Sequence, residues 1–171
     1  MSKVLAVDPG PTESAYALFE DDKFLSAGKR PNKDILTTIY QRSPTYDRIV
    51  IEMVACYGMP VGREVFETCV WIGRFMQCAE SEYGATERIF RKDIKLHLCG
   101  SLRAKDANVR QAIIDLYGGK AKAIGTKKNP GPLYGVKGDE WAAIGVGLTY
   151  MAKQKGASNE EYWTSQSVCG R

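Results

Sequence analysis

Two short apolar runs in this chain end on a carboxylate. Residues 4–7 precede Asp8, and residues 49–51 precede Glu52. Runs without polar alternation are typical of central strands covered on both faces, and the ends of neighbouring strands meet at one edge of a sheet. Two carboxylates placed there repel each other unless a proton or a cation intervenes. Mg²⁺, which prefers oxygen ligands, is the default candidate.

A third carboxylate stands at the start of a helix predicted over residues 138–152. Asp139, or its neighbour Glu140, would complete a site able to hold two ions about 4 Å apart for phosphodiester hydrolysis. Taken alone, Asp8 is compatible with a turn because Pro-Gly follows it, and Asp139 with a helix cap. The combination predicts a metal-dependent nuclease in which Asp8, Glu52 and Asp139 are the catalytic metal ligands.

Other kinds of catalytic site find little support in the sequence. The single histidine, His97, has no Ser or Cys partner pattern, so we interpret it as a structural or DNA-contacting side chain. No GxSxG or P-loop sequence is present. The five cysteines form no CxxC pair and have no histidine spacing suited to zinc, and we expect reduced thiols. They are Cys56, Cys69, Cys78, Cys99 and Cys169.

The elements that must position the carboxylates follow an α/β pattern. Three strands in a meander precede alternating helices and strands, which predicts a mixed five-stranded sheet flanked by helices. The predicted strands are 3–7, 14–19, 24–27, 49–52 and 86–90. The predicted helices are 34–42, 61–82, 104–117 and 138–152. The basic, Gly- and Pro-rich stretch 120–135 is interpreted as a mobile loop.

Length and composition indicate one globular domain. The chain has 171 residues, of which 44% are hydrophobic and 26% charged, as in ordinary soluble proteins. We expect a domain over residues 1–156 and a polar C-terminal tail over 157–171. No apolar run approaches the roughly 18 residues that span a bilayer, and we expect no signal peptide, no membrane partner and a cytoplasmic location.

Positive charge is concentrated in one part of the chain. Residues 88–128 contain eleven Lys and Arg against three Asp and Glu, a local balance of +8 within a total of +4. This asymmetry suggests a polyanion partner. A solvated basic surface without a partner would produce the same composition.

Four motifs in order resemble those of RuvC-like resolvases, particularly phage-type ones, in the RNase H-like superfamily. The similarity spans most of residues 3–150. It implies an RNase H-like fold, a site for two Mg²⁺ ions in which Mn²⁺ substitutes, and a homodimer. It also implies nicking of four-way (Holliday) junctions or other branched DNA. The motifs are VLAVDPG at 4–10, IVIE at 49–52, RAKDANV at 103–109 and DEWAA at 139–143.

The last motif departs from the family pattern. The family places two metal-site residues three positions apart at the start of the last helix, and Val136 occupies the position three before Asp139. Glu140 substitutes only if the helix start is irregular, because adjacent helical residues point about 100° apart. The family's catalytic-region lysine corresponds to Lys105 with a one-residue offset, so Lys105 is taken as DNA-binding.

We expect further DNA contacts from the basic segment and from aromatic residues that follow Glu52. Tyr57 or Phe66 could wedge against unstacked bases at a junction crossover. The helix over residues 61–82 is apolar around much of its circumference, which favours it as the dimer interface. A helix buried in a larger core would have the same pattern. The basic DNA-binding candidates are Arg91, Lys92, Lys95, Arg103 and Lys105.

Two other classes of protein share parts of this pattern. An actin-like or sugar-kinase-like ATPase also opens with a strand, an Asp-x-Gly and a meander, but we expect it to need a second related domain. A non-catalytic DNA-binding protein could retain the RNase H-like fold. The presence of all three acids favours the nuclease.

Overall fold

The protein is described from a computed structural model that covers residues 2–41, 46–55, 58, 60–84 and 86–157. Its centre is one sheet in the order β3-β2-β1-β4-β5. The first three strands form the predicted antiparallel meander, whereas β4 and β5 run parallel to β1. The strands are β1 Lys3–Asp8, β2 Glu13–Glu20, β3 Lys23–Pro31, β4 Arg48–Met53 and β5 Glu87–Phe90. The mixed five-stranded sheet is therefore confirmed.

The part of the chain that the structure describes contains six helices, which divide between the two faces of the sheet. The last helix, α6, contacts all five strands and also packs against α3 and α4, whereas α1 and α2 pack together on the other face. The helices are α1 Asn32–Tyr40, α2 Arg63–Tyr83, α3 Arg91–Cys99, α4 Asp106–Leu116, α5 Lys120–Ala123 and α6 Glu140–Ala157. None of them is long and apolar enough to cross a membrane.

Alternation along the central strands decides which face receives each carboxylate. In β1, Val4 and Ala6 belong to the core under α6, whereas Leu5 and Val7 belong to the core under α1 and α2. Successive strand residues point to opposite faces. Asp8 therefore follows Ala6 onto the α6 face. By the same rule Glu52 shares the face of Val50, which also belongs to the core under α6.

Helix α6 lies close to the sheet because it carries glycine where the two surfaces meet. A Cβ atom built on Gly147 would stand 2.2 Å from Cε2 of the buried Phe19 ring in β2. Such a distance is well inside van der Waals contact, so a larger residue there would push the helix away from the sheet. The close approach brings Asp139, which immediately precedes α6, to the sheet edge where β1 ends.

Two stretches differ from the sequence-based predictions. Residues 91–99, for which no element was predicted, form α3. Residues 120–135, predicted as a mobile loop, contain α5, a bridge between Gly125 and Pro130, and the buried Leu133. Apolar contacts from these few residues to the main core order a segment whose composition is that of a loop. The predicted tail lies outside the described residues from 158 onward.

Candidate active site

The two strand-end acids meet in the folded protein. Because β1 and β4 are parallel neighbours with Val7 paired to Ile51, Asp8 and Glu52 follow at adjacent positions on the α6 face. Their carboxyl groups lie close enough for each to affect the pKa of the other. The Glu52 side chain is only 10% exposed. The predicted pairing of these two residues is thus present in the geometry.

Burial favours the protonated form of this pair. Burial raises the pKa of Asp8 to about 6, an effect that Arg91 opposes and Asp139 reinforces. Burial, followed by repulsion from Asp8, raises the pKa of Glu52 to about 8. An ionised pair would place two like charges in a poorly solvated pocket, and a proton or a cation removes that repulsion. The site therefore favours a bound cation.

Asp139 lies in the same cleft but is more exposed, and it is already bonded to a lysine. Its side chain is 58% exposed, and Nζ of Lys29 in β3 stands 2.7 Å from its Oδ2. The hydrogen bond to Asp139 raises the pKa of Lys29. The structure thus brings all three predicted acids together, with a lysine that no sequence motif indicated.

Arg91 connects the buried pair to a fourth acid. As the first residue of α3 it stands 3.5 Å from Oε2 of Glu52 and 2.6 Å from Oδ1 of Asp106, the first residue of α4. Arg91 was predicted to bind DNA, and in the free protein its guanidinium instead forms ion pairs inside the cleft. Neither Asp106 nor this connection was predicted.

The acids line a cleft of about 660 Å³ with basic and aromatic walls. Arg110 and Lys120 lie on the α4 and α5 side, and the guanidinium of Arg110 lies over the ring of Trp141 at 5.0 Å from its centroid. These three residues were not predicted as site residues. Arg110 and Lys120 belong to the basic segment 88–128, so a signal for them existed in the charge pattern.

The donor atoms fit a hard divalent ion, although the acids do not yet surround one. Among the described residues, no three His, Cys, Asp or Glu side chains lie close enough to form a metal site as they stand. Asp8 and Glu52 offer carboxylate oxygens, and Arg91 alone only partly compensates for the negative charge of the buried pair. Oxygen ligands with uncompensated negative charge suit Mg²⁺ or Mn²⁺. Asp139 would join this pair either through its other oxygen, beside the Lys29 ammonium, or after Oδ2 leaves that lysine.

At the start of α6, the two remaining candidates are engaged in capping the helix or in packing. The Glu140 carboxylate accepts a hydrogen bond from the backbone N–H of Lys137 at 2.9 Å and is buried at the helix start. This is a capping role that satisfies an otherwise unpaired donor. Val136 packs against the core under α6 and carries no donor atom.

The remaining DNA-binding candidates lie mostly at the surface. Lys92, Arg103 and Lys105 are exposed, whereas Lys95 is half-buried. Phe66 on α2 is 61% exposed. Tyr57 lies outside the described residues.

Neither His97 nor any described cysteine lines the cleft of the acids. His97 borders a separate cavity, and burial followed by Lys153 lowers its pKa. Among the described cysteines, Cys69, Cys78 and Cys99 are free thiols.

Solved structures with the same architecture include RuvC from Thermus thermophilus. One match covers 91% of this chain and 96% of that chain, with a TM-score of 0.62 and 15% identity. Another, T. thermophilus RuvC in complex with Holliday junction substrate, covers 92% and 98% with a TM-score of 0.60 and 16% identity. No protein-family model and no curated protein matches the sequence. At such low identity the likeness shows the fold alone, and it confirms the predicted RNase H-like α/β fold.

Proposed function

We propose that this protein is a metal-dependent, structure-selective endodeoxyribonuclease that nicks four-way junctions or other branched DNA. The observation that carries the proposal is the buried Asp8–Glu52 pair at two adjacent strand ends, with Asp139 in the same cleft. Its support is chemical, because such a pair accommodates a cation and phosphodiester hydrolysis uses one. The fold shared with a junction-bound RuvC suggests the substrate class.

Asp8, Glu52 and Asp139 would hold the Mg²⁺ ions in the complex with DNA, with Mn²⁺ able to substitute. When bound, the metal supplies an activated water and stabilises charge on the scissile phosphate. For this to happen, Glu52 must give up the proton that the pair retains. Arg110 and Lys120, which line the cleft, would offset the charge of the phosphates there.

The proposed substrate makes contact well beyond the cleft. The exposed Lys92, Arg103 and Lys105 would bind backbone phosphates on either side of the acids. Phe66 would stack on an unstacked base at the crossover, a contact available at a junction and absent from linear duplex. We retain Tyr57 and the half-buried Lys95 as further candidates. Assignment to the phage type rests on the sequence motifs and is likewise part of the proposal.

A homodimer is proposed because a four-way junction presents two symmetry-related scissile phosphates. The groove between α1 and α2, about 760 Å³ in volume, is bordered by Leu36, Tyr40 and Val70. Tyr40 and Val70 are 68% and 57% exposed. Apolar residues exposed together in this way favour the α1–α2 side as the contact between two copies.

One observation favours a non-catalytic DNA-binding protein as the second candidate. Lys29 and Arg91 already form ion pairs with Asp139 and Glu52. Part of the negative charge in the cleft is therefore neutralised without any metal.

A cleavage assay separates these functions. The protein would be incubated with Mg²⁺ and end-labelled four-way, fork, flap and linear DNA of matched sequence, with Glu52→Gln and a chelator as controls. We expect paired nicks in the junction and little cutting of linear duplex. Binding without cutting of any substrate would support the non-catalytic alternative.

Light scattering of the free protein tests the oligomeric state. A strict monomer that cuts linear duplex as readily as junctions would overturn the junction-resolving function and leave a general nuclease.

A further inference from the structure

Lys29 lies in line with Asp8 across three neighbouring strands. Asp8 in β1 pairs with Ala15 in β2, and Ala15 pairs with Lys29 in β3. Directly paired residues on neighbouring strands share a face of the sheet, with strands about 4.8 Å apart. The middle position is the buried Ala15, whose methyl group leaves space above it on the α6 face. A long side chain at position 29 can therefore extend over Ala15 toward the acids.

At the end of this row the lysine ammonium bonds to an acid from a distant part of the chain. Nζ of Lys29 lies 2.7 Å from Oδ2 of Asp139, a partner 110 residues away in sequence. The lysine side chain is 43% exposed and that of the aspartate 58%. Water can reach both groups, so the ion pair can open when a stronger partner for Asp139 is present.

The four acids of the cleft differ in how the chain's own cations reach them. Arg91 is bonded strongly to Asp106, at 2.6 Å, and only distantly to Glu52, at 3.5 Å. Lys29 is bonded to Asp139. The Asp8–Glu52 pair is therefore the place where positive charge is most lacking, and it is also the most buried. An added cation is stabilised most at this pair.

A second ion would find a much poorer set of ligands. It would depend on Asp139, whose Oδ2 is held by Lys29, while Val136 offers no donor and Glu140 is bonded to the backbone of Lys137. Mg²⁺ retains several waters and needs only one or two carboxylates. One ion at Asp8 and Glu52 is thus well supplied, whereas a second would lie beside the lysine ammonium, which repels it, or would have to displace the lysine.

We propose that the free protein binds a single divalent ion, at Asp8 and Glu52, and that Lys29 provides at Asp139 the positive charge that a second ion would otherwise provide. This inference rests on the proposed metal-dependent function. Lys29 is then a positioning residue that limits metal uptake before DNA arrives.

Metal stoichiometry in the absence of DNA tests this proposal without reference to cleavage. Mn²⁺ would be titrated into the full chain and followed by calorimetry and by the electron paramagnetic resonance signal of the free ion. We expect one Mn²⁺ per chain for the wild type. Lys29→Met should bind a second Mn²⁺ about tenfold more tightly than the wild type does, since a nearby positive charge has been removed.

Three variants control for indirect effects. Lys29→Arg keeps the charge and should restore the single-ion behaviour. Lys23→Met removes a lysine from the other end of the same strand, where residue 23 pairs with Glu20, and should leave the titration unchanged. Adding Asp139→Asn to Lys29→Met should abolish the second ion, because its carboxylate ligand is gone.

The outcomes separate this inference from the function on which it rests. Two ions of similar affinity in the wild type, or an unchanged titration in Lys29→Met, would overturn the role of Lys29 and leave the nuclease proposal intact. No Mn²⁺ binding to any variant, together with metal-independent or absent cleavage, would overturn both.

Discussion

The acids of the cleft are of two kinds, and the contrast between them explains how the site works. Asp8 and Glu52 come from central strands, lie under α6 and are largely buried, which raises the pKa of both. Asp139 and Asp106 come from helix starts, are largely exposed and are each bonded to a cation of the chain. Burial makes negative charge unfavourable at Asp8 and Glu52 unless a cation compensates for it. In the cleft, the shortest ion pairs with the chain's own basic side chains form at the more exposed Asp139 and Asp106.

This contrast has its origin in packing. The strand-end acids lie on the face of the sheet that α6 covers, and α6 packs so closely there that a Cβ at Gly147 would clash with Phe19. Lys29 and Arg91 approach from the open side of the cleft, where their stems and charged ends remain partly in water. A small, poorly solvated space between two strand ends is better suited to a metal ion than to a lysine or arginine side chain.

The largest expected effect is on cleavage. Asp8→Asn, Glu52→Gln and Asp139→Asn should each lower the rate of junction cleavage by roughly a thousandfold, because metal stabilisation of the transition state contributes several kcal/mol. Junction binding, measured by gel shift with Ca²⁺ in place of Mg²⁺, should stay near the wild-type level. Full activity in any one variant would remove that residue from the site.

A smaller loss of activity is expected when Arg91, which forms ion pairs with both Glu52 and Asp106, is replaced. Arg91→Ala should lower the cleavage rate by about a hundredfold, the size of effect seen when one charge-stabilising donor is lost. Affinity for the junction should change less, since Arg91 lies inside the cleft and bonds to Glu52 and Asp106. Single-turnover kinetics with saturating enzyme would measure the rate. A loss confined to binding would show that Arg91 acts as an ordinary phosphate contact.

The buried pair should also make stability depend on pH. The pKa of Glu52 rises from its ordinary value of 4.5 to about 8 on folding, so the native state retains a proton that the unfolded state releases. This contribution is fully present below pH 4.5 and is lost as the pH rises toward 8. In chelator, the free energy of unfolding of the wild type should therefore decline relative to Glu52→Gln across this window.

Urea unfolding at several pH values within the same window would measure that difference. Asp139→Asn is the matched control from the exposed acids, and it should not reproduce the effect of Glu52→Gln. Parallel pH profiles for the wild type and Glu52→Gln would show that the pair ionises normally in the folded protein.

The smallest effects are expected from exposed basic residues outside the cleft. Lys92→Ala and Lys105→Ala should each weaken binding of all DNA sequences by a few-fold and reduce the slope of log K against log salt by about 1, since one fewer counterion is released. Fluorescence anisotropy over a range of salt concentrations would measure the slope. An unchanged slope would place those two lysines away from the DNA.

Much of the fold was predictable because its signals are local. The apolar runs that end at Asp8 and Glu52, the meander before them and the helical spacing after them indicated the mixed sheet directly. Helix α3, Arg91–Cys99, was missed because Ile94 is its only fully buried side chain. Its sequence therefore has little apolar periodicity. The structure of residues 120–135 depends on distant core contacts that composition does not report.

The candidate site divides in the same way. By itself the sequence determined that two acids end central strands and that a third precedes the last helix, because strand ends and helix starts are properties of neighbouring residues. Only the tertiary structure decided that Lys29 bonds to Asp139, that Arg91 turns inward to Glu52 and that Glu140 caps its own helix. Those outcomes depend on strand register, on the small Ala15 between two strands and on the close approach of α6, which residues far apart in the chain establish together.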